Sequence, residues 1–427
     1  MHERLIIQGG KQLKGEISPA GNKNEALAIL AASLLTEETI RLKNVPDIGD
    51  VRDMIEIMRD IGVDVKKSGD HEYLIKALSI KKVELNPELC HRIRGSFLFA
   101  APILVRCGRV RLPKPGGDRI GRRRVDTHLL ALEALGASIS VGDDYKLEIG
   151  TGFQGANIFL DEASVMATEN TIMAAAFAKG KTTIVNAASE PHVQGLCKFL
   201  NALGAKISGI GSNILTIEGV KQLDGGEYRI SPDHIEAGSF IGLAAATHSE
   251  LLIKNAPVEH MRIIFLVLEK LGIRLEIDKE DIFVPVQKKM KIVTDVGGAI
   301  HKIDDAPWPG FPADLVSIAL VSATQAEGTV LIFEKMFESR LYFVDELINM
   351  GAKIVLCDPH RAVIVGPSDL HGCEIVSPDI RAGMALLIAA LCAKGKSTIH
   401  NIRQIDRGYE RIDQRLCSLG ADIVRVG

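Results

Sequence analysis

Aromatic side chains are scarce in this chain of 427 residues: one Trp, five Tyr and thirteen Phe make up 4% of it. That scarcity leaves no aromatic interleaving for stacking nucleic-acid bases, and a net charge of −3 is wrong for a general polyanion binder. No apolar run approaches the roughly 18–20 uninterrupted residues of a membrane-spanning helix, and the start, Met1-His2-Glu3-Arg4-Leu5-Ile6-Ile7, has no secretion-signal core. The seven cysteines, Cys90, Cys107, Cys197, Cys357, Cys373, Cys392 and Cys417, are odd in number, scattered and never in a CxxC pair. They read as reduced, small core residues of a cytoplasmic protein, with no disulfide framework and no metal site. The expectation is a protein without metal or cofactor, nucleic-acid partner or membrane association, present as a monomer or weak homo-oligomer.

What the chain does have is Ala, Ile, Leu and Gly. Hydrophobic residues reach 46% and charged residues 25%, enough for proper cores, and the length suits two domains of roughly 200 residues each. A helix-like segment ending in a hydrophobic residue plus Gly, then a short strand, occurs six times. Its turn glycines are Gly62, Gly136, Gly204, Gly272, Gly351 and Gly420, roughly 70 residues apart. Glycine is the expected residue there because it ends a helix in the left-handed conformation without a Cβ clash.

Ahead of each copy lies an Ala-rich segment and a β-branched run, as in NEALAILAASLLTEETIRLKNV and MALLIAALCAKGKSTIHNI. These segments are apolar on nearly all faces, which predicts buried helices, whereas the amphipathic Gly-ended helices are expected to cover sheet faces. Six such units divide into two domains of three, with a turn at Asp224-Gly225-Gly226 near the middle and a cleft between domains as the expected site.

Charge breaks this pattern at the helix starts. A helix N-terminus is partially positive, so a cation there is unfavourable. Yet Lys23, Arg94 and Arg381 stand at the starts of three of the six buried helices. One reading places an anion, phosphate or carboxylate, between cation and helix end. The plainer one pairs each cation with a nearby acid such as Asp379, or lets it snorkel to water.

The stretch 112–128, LPKPGGDRIGRRRVDTH, carries two prolines, three glycines and the arginines Arg119, Arg122, Arg123 and Arg124. It reads as a functional lid over a polyanion or as a solvated charged turn. Asp118 is the carboxylate of its glycine-rich turn, held ionised by arginines or raised in pKa by a closed, dry site enough to keep a proton for acid catalysis. Asp314, after Trp308-Pro-Gly-Phe-Pro-Ala, opens an apolar helix as an N-cap or as a general base.

With these residues in view the chain resembles the UDP-N-acetylglucosamine 1-carboxyvinyltransferase family along essentially its whole length. The stretches that carry the likeness are GNKNEAL, IRGS, the PGGD loop, ATENTIMAAA, WPGFPADL, FESR, the DIRA helix start and IDRGYERI. The resemblance implies a two-domain inside-out α/β barrel of six βαβαββ repeats, three per domain. The first domain would be residues 22–231 with a catalytic lid at about 112–126, the second 1–21 plus 232–427, and the active site would lie in the interdomain cleft. It implies enolpyruvyl transfer from phosphoenolpyruvate to the 3′-hydroxyl of the amino sugar through a tetrahedral phospho-intermediate.

Carried over residue by residue, the resemblance makes Lys23, Asp118, Asp314 and Arg407 catalytic. Asn24 orients the sugar; Arg123 and Arg407 contact phosphate; Arg381 holds the phosphoenolpyruvate carboxylate; Arg94 matches a further arginine of the cleft. Arg124, Val125, Asp126, Ser164, Val165, Met336 and Arg340 complete the substrate-binding set. The chain departs from the family where Asp118 replaces the usual lid cysteine, the thiol that fosfomycin alkylates, so insensitivity to that drug is expected. Arg124 replaces a common proline, and Glu162 and Met166 stand where the usual residues are basic and Gly. Alternatives are transfer to another acceptor, as in 5-enolpyruvylshikimate-3-phosphate synthase, and a non-catalytic nucleotide-sugar-binding paralogue.

Overall fold

In the computed structural model the described residues are 3–118 and 120–427; Met1 and His2 of the N-terminal reading and Arg119 of the arginine-rich loop lie outside them. Strands arise where apolar residues alternate with polar ones. In Thr39–Lys43 and Glu72–Lys76 the inward residues are Ile40, Leu42, Tyr73 and Ile75. The antiparallel register sets Ile40 against Ile75 and Leu42 against Tyr73, so one face of the pair is wholly apolar. The described residues form six small sheets, five of four strands and one of three, one for each repeat.

Each four-stranded sheet carries one parallel pair, such as Asn157–Phe159 beside Lys181–Val185 or Glu374–Val376 beside Lys396–His400. In the three-stranded sheet only an isolated parallel bridge, Glu84 to Arg111, stands in that place. An asparagine in the left-handed region ends several of the strands next to these pairs: Asn44, Asn186 and Asn401, with φ of 57°, 61° and 56°. Their side-chain amides donate to Ile230 O, Leu160 O and Ser377 O, tying down the end of the neighbouring parallel strand. Asparagine tolerates this conformation better than other residues with a Cβ. The six repeat glycines, Gly62 to Gly420, all have positive φ, between 85° and 106°.

The chain divides into two compact units. One holds the chain up to Ala20, a short loop piece ending at Arg122, and Pro232–Gly427; the other holds Gly21–Asp118 and Arg123–Ser231. Strand pairing accounts for the division. Arg4–Gln8 sits between Lys396–His400 and Asp422–Val426, and Lys14–Ile17 pairs with Glu250–Ile253. Gly226–Arg229 returns to the first sheet of its own unit beside Thr39–Lys43.

Each unit is an inside-out α/β barrel with its own apolar core. In one, the buried segments are Lys23–Ala32, the 3₁₀ turn Arg94–Phe99 running into Ala100–Cys107, and Val165–Ala175. In the other they are His234–Ala246, Val316–Ala323 and Ile380–Cys392.

The amphipathic helices do more than cover sheets. Gly49–Asp60 packs on Lys23–Ala32 and Arg94–Phe99, Asp126–Ala134 on Val165–Ala175, and Pro191–Ala202 on Lys23–Ala32. An all-apolar helix needs cover on every side, and in this unit a Gly-ended helix of one repeat supplies part of it to the buried segment of the next, cyclically. Gly195 permits the last contact, since a Cβ there would lie 2.5 Å from Glu25 Cδ.

Glu25 is consequently a carboxyl inside a core. It accepts from Tyr228 Oη at 3.1 Å and Ser231 Oγ at 3.3 Å, and burial pushes it up from 4.5 to about 7 against those hydrogen bonds. Between pH 4.5 and 7 the folded protein therefore keeps a proton that the unfolded chain has lost, so stability falls as pH rises through that window. Glu25→Gln is expected to remove this slope. In urea unfolding at pH 5 and pH 8 the wild type should lose up to about 3 kcal/mol relative to the variant.

Candidate active site

In the unit of Gly21–Asp118 and Arg123–Ser231 the sequence-predicted cations are held by acids and backbone. Asn22 caps the helix Lys23–Ala32 by accepting from Glu25 N, leaving Lys23 at the first helical position. Its Nζ lies 2.7 Å from Asp50 Oδ2, and both side chains are buried, 11% and 3% exposed. Asp50 sits in the first turn of Gly49–Asp60, where a carboxylate suits the helix end. Asn24 is half-buried beside Lys23.

Arg94 opens a 3₁₀ turn rather than an α-helix, and its Nη2 donates to Arg123 O at 2.5 Å and Arg124 O at 3.0 Å. It thus braces the base of the arginine-rich loop. Burial, with the Arg123 charge beside it, lowers Arg94 to about 10. Two arginines that repel one another at close range make a place where an anion is favoured.

The glycines of the loop are needed for close packing. A Cβ on Gly116 would fall 1.7 Å from His91 O, and Gly117, at φ 101°, lies against the Arg94 backbone. Asp118 is half-buried. Ile120 O accepts from Ser339 N at 3.0 Å and Arg122 N donates to Glu338 Oε2 at 3.1 Å, so this piece of the loop belongs with the unit of Pro232–Gly427.

Arg123 is half-buried, whereas Arg124 is exposed and paired with Asp126 at 2.9 Å. Val125 is buried at the start of the helix Asp126–Ala134. Thr127 Oγ1 donates to Asp161 Oδ1 at 2.7 Å, linking that helix to the segment holding Glu162. Ser164 is the N-cap of Val165–Ala175 but makes no side-chain cap bond, and both Ser164 and Val165 are half-buried.

The other unit contains a denser network. Asp314 lies in a 3₁₀ turn, Ala313–Leu315, and Leu315 occupies the N-cap of the following helix, so Asp314 does not cap it. Its carboxylate is clasped instead by two arginines. Arg340 Nη2 reaches Oδ1 at 2.6 Å, and Arg381 reaches Oδ2 through Nε at 3.0 Å and Nη2 at 2.9 Å. Burial pulls both guanidiniums down, but Asp314, together with Glu334 and Asp379 around Arg340 and with Tyr409 and Asp233 around Arg381, more than restores them, so they remain charged.

Arg381 is the second residue of Ile380–Cys392, whose N-cap Asp379 accepts from the Arg381 and Ala382 amides. Asp379 thus serves the backbone, while the Arg381 side chain is directed to Asp314. Glu334 is fully buried and raised to about 9, chiefly by burial and then by the charge and side-chain hydrogen bond of Asp305, so it stays protonated near neutrality.

Asp305 holds the next residues by accepting from Lys335 N at 2.5 Å and Met336 N at 3.1 Å, with Met336 39% exposed. Arg407 is half-buried and donates to Gln404 Oε1 at 2.8 Å; its neighbour Asp406 takes both terminal nitrogens of Arg425.

Asp314, Arg340 and Arg381 are thus brought together in one unit, as are Arg94, Arg123 and Arg124 in the other. Asp50 and Tyr409 were not singled out in the sequence. For Asp50 the available signal was an acid at a helix start; for Tyr409 it was the IDRGYERI motif itself, which gives no role to its phenol.

A group of three or more His, Cys, Asp or Glu able to hold a metal is absent among the described residues. No helix among them is long and apolar enough to cross a membrane.

The sequence profile of the family described as EPSP synthase (3-phosphoshikimate 1-carboxyvinyltransferase) matches residues 7–416. The UDP-N-acetylglucosamine 1-carboxyvinyltransferase of Bradyrhizobium diazoefficiens is 56% identical over 423 residues, covering 99% of this chain and 98% of that protein. The protein of the same name from Treponema denticola is 56% identical over 99% of both. Among solved structures, the enolpyruvyl transferase NikO from Streptomyces tendae superposes with a TM-score of 0.88 at 24% identity, covering 100% of this chain and 99% of that one. EPSP synthase from Acinetobacter baumannii gives 0.75 at 18%, covering 100% of both chains; these two likenesses concern the fold. On its matched length and its identity to these relatives, the chain belongs to the enolpyruvyl transferases, among the UDP-N-acetylglucosamine 1-carboxyvinyltransferases.

Proposed function

We propose that this protein transfers the enolpyruvyl group of phosphoenolpyruvate to the 3′-hydroxyl of UDP-N-acetylglucosamine with release of phosphate, the first committed step of peptidoglycan synthesis, in the cytoplasm. The observation that carries the reading is 56% identity to enzymes of that name along 99% of the chain. The charge arrangement agrees with it: arginines in each unit suit the phosphate and carboxylate of one substrate and the diphosphate of the other.

In the proposed reaction the sugar oxygen bonds to C2 of phosphoenolpyruvate, its proton passing to Asp314, while C3 gains a proton from Asp118. The tetrahedral intermediate then gives a proton from C3 to the carboxylate left on Asp118, and the C2–C3 double bond forms as the bond from C2 to the phosphate oxygen breaks and phosphate leaves. Lys23, Arg123 and Arg407 stabilise the phosphate, and Arg381 holds the carboxylate. Asn24 orients the sugar, and Met336 and Arg340 flank the acceptor. Arg94 supports the loop carrying Arg123, and Arg124, Val125, Asp126, Ser164 and Val165 meet the nucleotide.

The test is phosphate release from the two substrates with and without fosfomycin. Acceptor-dependent release that the drug leaves unchanged is expected, with sensitivity appearing in Asp118→Cys. Absence of release with this acceptor overturns the reading.

A further inference from the structure

Tyr409 is fully buried at 0% exposure beneath Ile380–Cys392, where a phenylalanine would fill the same volume. Its hydroxyl therefore needs a reason, because a phenol in a core is costly unless its polar end is hydrogen-bonded. That oxygen is hydrogen-bonded to two side chains. Arg381 Nη1 lies 3.2 Å away and Ser239 Oγ 2.9 Å away.

The direction of these bonds follows from counting hydrogens. Ser239 Oγ donates its one hydrogen to Ile235 O at 2.8 Å, four residues back in His234–Ala246, so toward Tyr409 it can only accept. Tyr409 accordingly donates to Ser239 and accepts from Arg381. The relay runs one way, from the guanidinium through phenol and hydroxyl to a backbone carbonyl, and each link polarises the next. The Arg381 Cζ also stands 5.5 Å from the Tyr409 ring centroid, adding attraction to the ring face.

Asp314 Oδ2 takes Nε and Nη2 of Arg381, and Tyr409 takes Nη1. This leaves at least one hydrogen on each terminal nitrogen, the donors from which a carboxylate accepts. We propose that Tyr409, backed by Ser239, is a positioning residue that fixes the plane of the Arg381 guanidinium and so sets affinity for the carboxylate of the enolpyruvyl donor. This rests on the donor role of Arg381 given above.

The experiment compares wild type, Tyr409→Phe, Ser239→Ala and the double variant in steady-state kinetics, with a crystal structure of Tyr409→Phe. Tyr409→Phe is expected to raise KM for phosphoenolpyruvate about tenfold while kcat and the acceptor KM stay within about twofold. Ser239→Ala should act in the same direction but less, and the double variant should be no worse than Tyr409→Phe. An unchanged donor KM, or a joint fall in kcat, both affinities and melting temperature, overturns the proposal. The crystal structure decides the positioning step without substrate: a turned guanidinium supports it and an unmoved one overturns it. Failure of the wild type to use this substrate pair would count against the proposed function instead, and the crystal structure would still judge Tyr409.

Discussion

Replacing Asp314 by Asn is expected to cut turnover about 10²- to 10⁴-fold, the range for loss of a positioned acid–base group. The carboxylate is 26% exposed and its partners Arg340 and Arg381 are 11% and 6% exposed, so two nearly dry cations depend on one acid. The amide keeps the shape but neither the charge nor the capacity to take the sugar proton. Asp314→Ala should in addition cost about 3–5 kcal/mol of stability, because it leaves both guanidiniums buried without their main counter-charge. Kinetics and urea unfolding of the two variants together separate these effects. Asn should lose activity with a smaller stability loss than Ala, and an active Asp314→Asn enzyme would remove Asp314 from the proton transfer.

The second large effect concerns Lys23. Its partner Asp50 is only 3% exposed, so Lys23→Ala leaves a carboxylate in the core and should destabilise by about 3–5 kcal/mol. Changing both residues to apolar ones of similar size, Lys23→Met with Asp50→Leu, should recover most of that stability, because a buried ion pair gains little over good apolar packing. Turnover should stay lost in the double variant if the lysine charge serves the substrate phosphate. A double variant that regains activity would assign Lys23 to structure alone. The acid partner of the plainer reading is in place at Lys23; lost turnover in a stable double variant would give the lysine a substrate role as well.

Much of this molecule is decided locally. The repeat is legible because a helix end requires a left-handed residue every time, and glycine at 62, 136, 204, 272, 351 and 420 supplies it. Buried and amphipathic helices are separable because apolar residues on every face leave a helix no surface to show to water. The strand-ending Asn44, Asn186 and Asn401 are equally local, since each repeats the same turn after the same strand, although their role was seen only with their carbonyl partners in place.

The tertiary structure decided whatever depends on partners far apart in the chain. Sequence spacing placed Asp314 at a helix start and left it between cap and base. Folding brings Arg340 from a loop and Arg381 from another repeat to its two oxygens, which excludes the capping role. For Arg94 the spacing left anion contact and acid pairing open, and folding adds a further partner, since one terminal nitrogen is turned to the carbonyls of Arg123 and Arg124. The phenol of Tyr409 meets Ser239, 170 residues away. Local sequence determines which backbone conformations and faces are available, whereas the strength and direction of a charge depend on which distant groups share its low-dielectric surroundings.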